Sequence, residues 1–468
     1  MRSRFPARLA LALACGAPGL FGAAPAESAE AETLQKIYAE ALARGRAYDH
    51  LRSLVAQSPG RLSGSKSLER AVEWAEQTLN GLGLDRVTKQ DVMVPHWERG
   101  GKESVVMVSG AGTDSLNALA LGGSGATPET GLFAEVTEVK SLDEIVTLGR
   151  GKIEGRIVFF NRPMNAELVR TASAYSAAGD QRTRGPALAA KHGAVGALSR
   201  SLTFAHDDVP HTGATKFAPG DAPIPCAALS LVAADKLSAA LAAAAKTGGT
   251  VRVGMKIEAH TLPDAPSHNV IGEIRGSEFP EEIILVGGHL DSWDIAPGAH
   301  DDGAGVVQAI EVLRLFRALG LKPRHTLRCV LFTNEENGTA GSTAYTAEAT
   351  AKNEKHIFAL ESDNGGFQPH GFNLGSTQGN AHERAAERWR ALFAPYGITS
   401  FSKGTGGADV GSLLGRGVTV GGLEPDSQRY FDYHHTATDS IDKVNPRELH
   451  LGAAALASLI WLVDTQGL

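Results

Sequence analysis

The hydrophobic positions from residue 263 onward alternate between short apolar runs and residues at helical spacing. Val306, Ile310, Leu313 and Phe316 recur with the period of a helix between two of these runs. Short runs rich in branched residues predict buried strands, and strands that alternate with helices form a mostly parallel sheet covered by helices. The predicted strands are 269–274 (NVIGEI), 282–288 (EIILVGG), 326–332 (TLRCVLF), 357–362 (IFALES) and 418–423 (VTVGGL).

Residues 116–262 have a different pattern and predict a separate small α+β domain. They contain a short apolar strand (GRIVFF) and two helical segments rich in alanine. A further strand is indicated by strict alternation of apolar and polar residues, which gives it one buried face. The apolar positions of that strand are Val251, Val253, Met255 and Ile257.

The rest of the chain predicts one larger domain. Residues 27–115 carry two helical patterns and two strand-like stretches, 87–94 (VTKQDVMV) and 103–110 (ESVVMVSG), which we expect to join the sheet of residues 263–468. The predicted fold is therefore α/β, with a mixed, mostly parallel sheet flanked by helices. The α+β domain of residues 116–262 is an insertion in it.

The N-terminus has the features of a secretory signal peptide. Arg2, Arg4 and Arg8 precede an apolar stretch that ends near Ala26, where the chain turns acidic. Glycines and a proline interrupt that stretch, which argues against a membrane anchor. We therefore expect residues 1–26 to be removed, the protein to be exported to the periplasm or secreted, and the mature chain to have no membrane span.

Composition excludes several classes of protein. With 43% hydrophobic and 21% charged residues, the chain has the composition of a folded globular protein and not of a disordered or fibrous one. Its net charge of −7 leaves no basic excess for a phosphate backbone, which argues against a nucleic-acid partner. Without the leader only Cys226 and Cys329 remain, so no disulfide framework is expected.

Histidines and carboxylates follow the predicted strands one after another. Open α/β sheets bind ligands outside the carboxyl ends of their strands, so these side chains are expected to converge. Two adjacent carboxylates in a glycine-bounded loop need cations nearby, and histidines combined with carboxylates suit zinc. The residues are His289, Asp291, Asp301, Asp302, Glu335, Glu336, Asp363, His434 and His435.

These motifs and their order resemble the two-zinc exopeptidases of the M28 family over nearly the whole mature chain. The matching segments are GHLDSWD, GAHDDGAG, TNEENG, ESDNGG, GGADVG and YFDYHHT. The resemblance implies a zinc exopeptidase fold, two Zn²⁺ ions per chain and hydrolysis of dipeptides or short peptides. It also implies that residues 116–262 are an inserted protease-associated domain. Members of this shape often dimerise, so a homodimer is expected on the same ground.

The resemblance also implies a role for each residue of the site. His289 and Asp363 would bind one zinc ion, Glu336 and His435 the other, and Asp301 would bridge the pair. Asp291 would orient His289, and Glu335 would act as general base to the attacking water and as acid to the leaving amine.

Three further residues are candidates for contact with the substrate, and each could instead have a purely structural role. His434 takes the place of a tyrosine that donates to the oxyanion in related peptidases, or is a solvated loop histidine. Asp409 matches a substrate-side acid that would hold a free peptide amine, or caps a turn. Arg182 would clamp a substrate carboxylate, or is solvated.

Two other functions compete with a dipeptidase or carboxypeptidase. An aminopeptidase is the nearest, because the metal chemistry does not decide which peptide terminus is anchored. A receptor-like binding protein would use the same fold but would lack metal ligands, and here all of them are present.

Overall fold

A computed structural model describes residues 28–468, so the predicted signal peptide of residues 1–26 lies outside the described residues. Three helices and a long strand open the described chain, where the sequence pattern predicted only two helices. They are α1 (Ala29–Arg44), α2 (Ala47–Gln57), α3 (Lys66–Asn80) and β1 (Arg86–Arg99).

The next part of the chain forms a second sheet with its own helices. Its strands are β2 (Ser104–Ser109), β3 (Gly112–Ser115), β4 (Ala118–Ala120), β5 (Leu132–Val139), β6 (Ile157–Phe160), β7 (Gly196–Arg200), β8 (Cys226–Leu229) and β9 (Arg252–Lys256). Its helices are α4 (Leu142–Leu148), α5 (Arg150–Ile153), α6 (Thr171–Ala178), α7 (Asp180–Thr183), α8 (Gly185–Lys191) and α9 (Leu231–Thr247).

The C-terminal part returns to the first sheet. Its strands are β10 (Ala259–Ile274), β11 (Phe279–His289), β12 (His325–Phe332), β13 (Lys355–Glu361), β14 (Pro369–Gly375), β15 (Ser400–Lys403) and β16 (Thr419–Pro425). Its helices are α10 (Ala304–Leu319), α11 (Ala340–Ala351), α12 (Ala381–Phe393), α13 (Tyr430–Tyr433) and α14 (Pro446–Gln466). A short π-helical turn spans Ala299–Gly303, just before α10.

The main sheet has the strand order β1-β10-β12-β11-β13-β16-β14-β15. The central strands β12, β11, β13 and β16 run parallel, whereas β1 and β10 form an antiparallel arm. Helices α1, α2, α3, α10, α12 and α14 cover one face, and α11 with the turn at Val410–Arg416 covers the other. This confirms the predicted α/β fold with a mixed sheet between helices.

The boundary of the insertion differs from the expectation. Strand β2, within the stretch ESVVMVSG that was expected to join the main sheet, pairs with β9 of the second sheet. Strand β10 pairs with β1 from Ala259 onward, before the predicted end of the insertion at residue 262. The second sheet therefore begins at β2 and ends at β9. The residues of a strand predict that it forms, but they do not predict which distant strand it pairs with. The expectation that β2 joins the main sheet was wrong for this reason.

The two sheets are joined close to the carboxyl edge of the main sheet. Trp293, in the loop after β11, is 1% exposed and packs into the core of the second sheet beside Trp97. The next residue, Asp294, accepts two hydrogen bonds from the guanidinium of Arg99 at the end of β1, at 2.7 and 3.0 Å, and the same guanidinium donates to the carbonyl oxygen of Ala120 in β4 at 2.8 Å. A loop of the main domain is thus built into the inserted one.

Among residues 28–468, only α14 is long and apolar enough to cross a membrane. It packs against α1 and α10, and 72% of its most apolar stretch of 18 residues is buried inside the protein. Burial of this kind is typical of a core helix.

Candidate metal centre and catalytic site

The predicted site residues lie at the carboxyl edge of the main sheet. His289 ends β11, and Glu335 and Asp363 follow the neighbouring strands β12 and β13. Because these three strands are parallel, their carboxyl ends meet at one edge. Asp301 reaches the same point from the turn before α10.

Asp301 lies at the centre of the site and joins its histidines. Its Oδ1 is 3.4 Å from His289 Nε2, and its Oδ2 is 3.4 Å from His435 Nε2 and 3.5 Å from His434 Nε2. Each outer histidine also faces a carboxylate of its own. Asp363 Oδ1 is 3.5 Å from His289 Nε2, and Glu336 Oε2 is 3.1 Å from His435 Nε2.

The donor set fits divalent metal ions. Asp301 Oδ2 and Glu336 Oε1 are buried and have no hydrogen-bond partner among the described residues. Burial and the charge of Asp301 hold the pKa of Glu336 well above its ordinary value. Several buried carboxylates cannot all be ionised in one place without cations, and cations beside them remove that cost. Imidazole nitrogens and carboxylate oxygens are the ligands that zinc accepts together.

Asp291 organises the two adjacent glutamates more directly than it organises His289. Its carboxylate accepts the backbone N–H of Glu335 at 3.0 Å and that of Glu336 at 3.2 Å. His289 Nδ1 lies 3.1 Å from the carbonyl oxygen of Asp291 and 3.6 Å from its carboxylate. The side chain therefore fixes the Glu335–Glu336 turn, while the main chain of the same residue orients the histidine.

Asp302 has a different task from Asp301, although the two are adjacent. Its carboxylate accepts the backbone N–H of His289 at 3.0 Å and that of Gly305 at 2.9 Å. A side chain at Gly305 would place its Cβ 1.8 Å from the carbonyl oxygen of Ser362 and 2.5 Å from Asp302. Only glycine permits this approach, so Asp302 ties β11 to α10 and leaves Asp301 free to face the histidines.

Two further residues, which sequence reasoning missed as site residues, hold the loops of the site. Asp439 accepts the backbone N–H groups of His300 and Asp301 at 2.7 and 3.0 Å. The fully buried Arg61 donates to the carbonyl oxygens of Leu290, Pro297 and Gly298 at 2.6, 2.6 and 2.9 Å. Nothing in the sequence around Arg61 distinguishes it from a surface arginine, whereas Asp439 lies four residues after the candidate ligand His435 and could have been found from that proximity.

His434 and His435 lie side by side, with ring centroids 3.5 Å apart. Burial lowers the pKa of His434 to about 4 and that of His435 well below its ordinary value. Both imidazoles are therefore neutral near pH 7, as a metal ligand must be. His435 alone reaches Glu336 as well as Asp301.

A cavity of about 390 Å³ opens over the site, between the main and inserted domains. The main domain contributes Asp301, Glu335, Glu336, Asp363, His434 and His435 to its lining, and the inserted domain contributes Tyr175, Arg182 and Lys216. A second cavity of about 500 Å³ shares Ala172, Ser176 and Asn364 with it. The cleft is therefore continuous past Asp363.

Arg182 and Asp409, the two predicted substrate contacts, are both buried. Two Arg182 nitrogens already donate, to the carbonyl oxygen of Thr212 at 3.1 Å and to the hydroxyl of Tyr175 at 2.6 Å. Asp409 is 1% exposed, and burial together with the charges of Glu361 and Glu335 holds its pKa well above the ordinary value. Asp409 is not among the residues that line the cavity.

A buried centre of histidines and carboxylates at the carboxyl edge of an α/β sheet, in a cleft beside a second domain, is the arrangement of a metallopeptidase. The sequence profile of peptidase family M28 matches residues 269–460. The chain is 38% identical to bovine (Bos taurus) carboxypeptidase Q over 421 residues, which cover 90% of this chain and 86% of that protein. The chain belongs to peptidase family M28 and is a metallopeptidase.

Solved structures agree with this assignment. A peptidase M28 precursor from Shewanella amazonensis SB2B matches with a TM-score of 0.87 and 34% identity, over 94% of this chain and 97% of that one. A zinc aminopeptidase from Bacillus subtilis matches with a TM-score of 0.62 and 19% identity, over 90% of this chain and 95% of that one. The second match supports the fold alone.

Replacing Arg61 tests how much the metal loops depend on it. We expect Arg61→Met to lower the free energy of unfolding by about 3–5 kcal/mol, because three buried carbonyl oxygens lose a charged donor. Urea unfolding of the protein in chelator measures this without a contribution from metal binding. The control is Arg70→Met, which removes one exposed hydrogen bond to Gln57 and should change stability by less than about 0.5 kcal/mol. Equal stability of the two variants would contradict the role of Arg61.

Proposed function

We propose that the protein is an exported two-zinc exopeptidase that hydrolyses dipeptides or short peptides, and the name of its relative carboxypeptidase Q supports a carboxypeptidase. The observation that carries the proposal is the position of Asp301 between His289 and His435, each of which faces a second carboxylate. His289 and Asp363 would hold one ion, Glu336 and His435 the other, with Asp301 shared. When bound, the pair would supply an activated water and would stabilise negative charge that develops on the peptide oxygen.

Glu335 is the proposed proton carrier. It lines the cavity, and the Asp291 carboxylate fixes its backbone. Burial and neighbouring carboxylates raise its pKa to about 8. Cations beside it would lower that pKa, which gives a base able to take a proton from water and return it to the leaving amine.

His434 is the proposed donor to the peptide oxygen. Its Nε2 lies 3.5 Å from Asp301 Oδ2, and its neutral ring can donate from that nitrogen without changing the charge of the site. His435 remains the proposed ligand because it also faces Glu336.

The cations of the inserted domain favour recognition of a substrate carboxylate. Lys216 is exposed in the cavity and has no carboxylate partner among residues 28–468, and Arg182 lies on the same wall. Asp409, which would hold a free amine in the aminopeptidase alternative, is buried and does not line the cavity. The charge of the cleft therefore supports a carboxypeptidase or dipeptidase over an aminopeptidase.

The substrate terminus is tested on free dipeptides and on their N-acetylated and C-amidated forms. We expect C-amidation to lower kcat/KM by about 10- to 100-fold, the loss of one charge-assisted hydrogen bond. Lys216→Met should abolish the difference between free and amidated substrates, while the exposed Lys191→Met should retain it. Loss of cleavage on N-acetylation alone would instead establish an aminopeptidase.

The role of Glu335 is tested by separating turnover from metal binding. Glu335→Gln should lower kcat by about 10²- to 10⁴-fold, because the amide cannot carry the proton. Zinc content, measured by mass spectrometry of the metals, should stay near that of the unchanged protein. Asp301→Ala should lose metal itself. Activity of the Glu335 variant near that of the unchanged protein would exclude it as the proton carrier.

Export, assembly and domain identity complete the proposal. We infer that residues 1–26 direct export, that residues around 104–256 are a protease-associated domain, and that two copies of the chain associate. Mass spectrometry of the exported protein should give an N-terminus after Ala26, and sedimentation should give the mass of a dimer. An intact leader would contradict the proposal of export by cleavage, and the mass of a monomer would contradict the proposed dimer. Neither result would change the catalytic proposal.

A further inference from the structure

The segment His211–Gly213 of the inserted domain lies directly behind the metal centre. The carbonyl oxygen of Thr212 is 3.2 Å from His435 Nδ1, and the backbone N–H of Thr212 donates to the carbonyl oxygen of His435 at 3.0 Å. His211 Nδ1 lies 2.8 Å from the carbonyl oxygen of His434. His435, the proposed ligand of the second metal position, and its neighbour His434 are therefore both held by one segment of another domain.

These contacts decide which nitrogen of His435 can bind a metal. A carbonyl oxygen only accepts, so Nδ1 carries the hydrogen and Nε2 keeps its lone pair. That Nε2 faces Glu336 and Asp301. His435 also has a φ of 62°, which is uncommon for a residue other than glycine and persists only where neighbours enforce it.

The segment is itself anchored in the inserted domain. The hydroxyl of Thr212 donates to the carbonyl oxygen of Ala120 in β4 at 2.8 Å, and the backbone N–H of His211 donates to the hydroxyl of Ser201, just after β7, at 2.8 Å. Gly213 has a φ of 142°, and a Cβ there would lie 2.3 Å from the guanidinium carbon of Arg182. The position of His435 thus depends on how the inserted domain is seated.

The first metal position, formed by His289 and Asp363, is held by contacts within the main domain. His289 Nδ1 is bound by the carbonyl oxygen of Asp291 in its own loop, and its backbone N–H by Asp302. Asp363 follows β13 of the main sheet. The two positions differ in this respect although they share Asp301.

We propose that His211–Gly213 is a positioning element of the inserted domain that completes the second metal position, the one formed by Glu336 and His435, and leaves the first position unaffected. The inference rests on the proposed two-zinc function. It assigns to the inserted domain a part in metal binding in addition to forming a wall of the cleft.

Gly213→Ala tests the proposal, with Gly220→Ala as its matched control. Both glycines have positive φ in the same loop region, but a Cβ at Gly220 meets nothing within 4 Å. Gly213→Ala should weaken binding of one zinc ion by about 10- to 100-fold, so that dialysed protein keeps about one ion where the unchanged protein keeps about two. Gly220→Ala should keep both ions.

Four measurements separate positioning from general damage. Zinc content and chelator titration count the ions. Added zinc should restore the activity of Gly213→Ala, and the unfolding midpoint in chelator should stay close to that of Gly220→Ala. If Gly213→Ala does not fold, His211→Ala, which leaves the backbone of Gly213 unchanged, carries the same expectation.

The outcomes distinguish this inference from the proposed function. Two equally tight ions in both Gly213→Ala and His211→Ala would overturn the positioning role and leave the two-zinc peptidase in place. Equal weakening of both ions would also overturn it, since the first position should be independent. Fewer than two ions in the unchanged protein would overturn the two-zinc function itself.

Discussion

The constraint on which the site depends is the mutual repulsion of carboxylates buried in one small volume. Asp301, Glu335, Glu336 and Asp363 all lie within the reach of each other's charge, and burial raises the pKa of three of them. An isolated buried carboxylate is costly, and a group of them is acceptable only beside cations or donors. Bound metal ions would therefore explain why so many carboxylates are buried in one place.

A second set of carboxylates makes that cage rigid by binding backbone instead of metal. Asp291, Asp302 and Asp439 each accept two backbone N–H groups from the loops that carry the proposed ligands. Each thus joins segments that are distant in the chain, and Gly305 allows the close approach that Asp302 needs. In the adjacent pair Asp301–Asp302, one member faces the cavity and the other holds the backbone.

The sequence predicts the strands of the main sheet well because apolar runs are local signals, and it predicts the convergence of His289, Asp301 and Glu336 because parallel strands end at one edge. It does not predict which sheet receives β2, since an apolar run of this length suits either partner. Nor does it show that Arg61 is buried or that Thr212 reaches His435. Those facts arise from contacts between segments far apart in sequence, where a residue's type says little about its partner.

The position of the inserted domain links the width of the cleft to the integrity of the metal centre. One wall of the cavity carries Tyr175, Arg182 and Lys216, and Arg182 donates to the same Thr212 carbonyl that holds His435. Moving this wall outward to admit a longer or folded substrate would pull on Thr212 and hence on His435. A cleft that can widen beside the metal centre only by loosening the proposed ligand His435 would suit small substrates. In the proposed function, restriction to short peptides and retention of the second ion would thus have one physical cause.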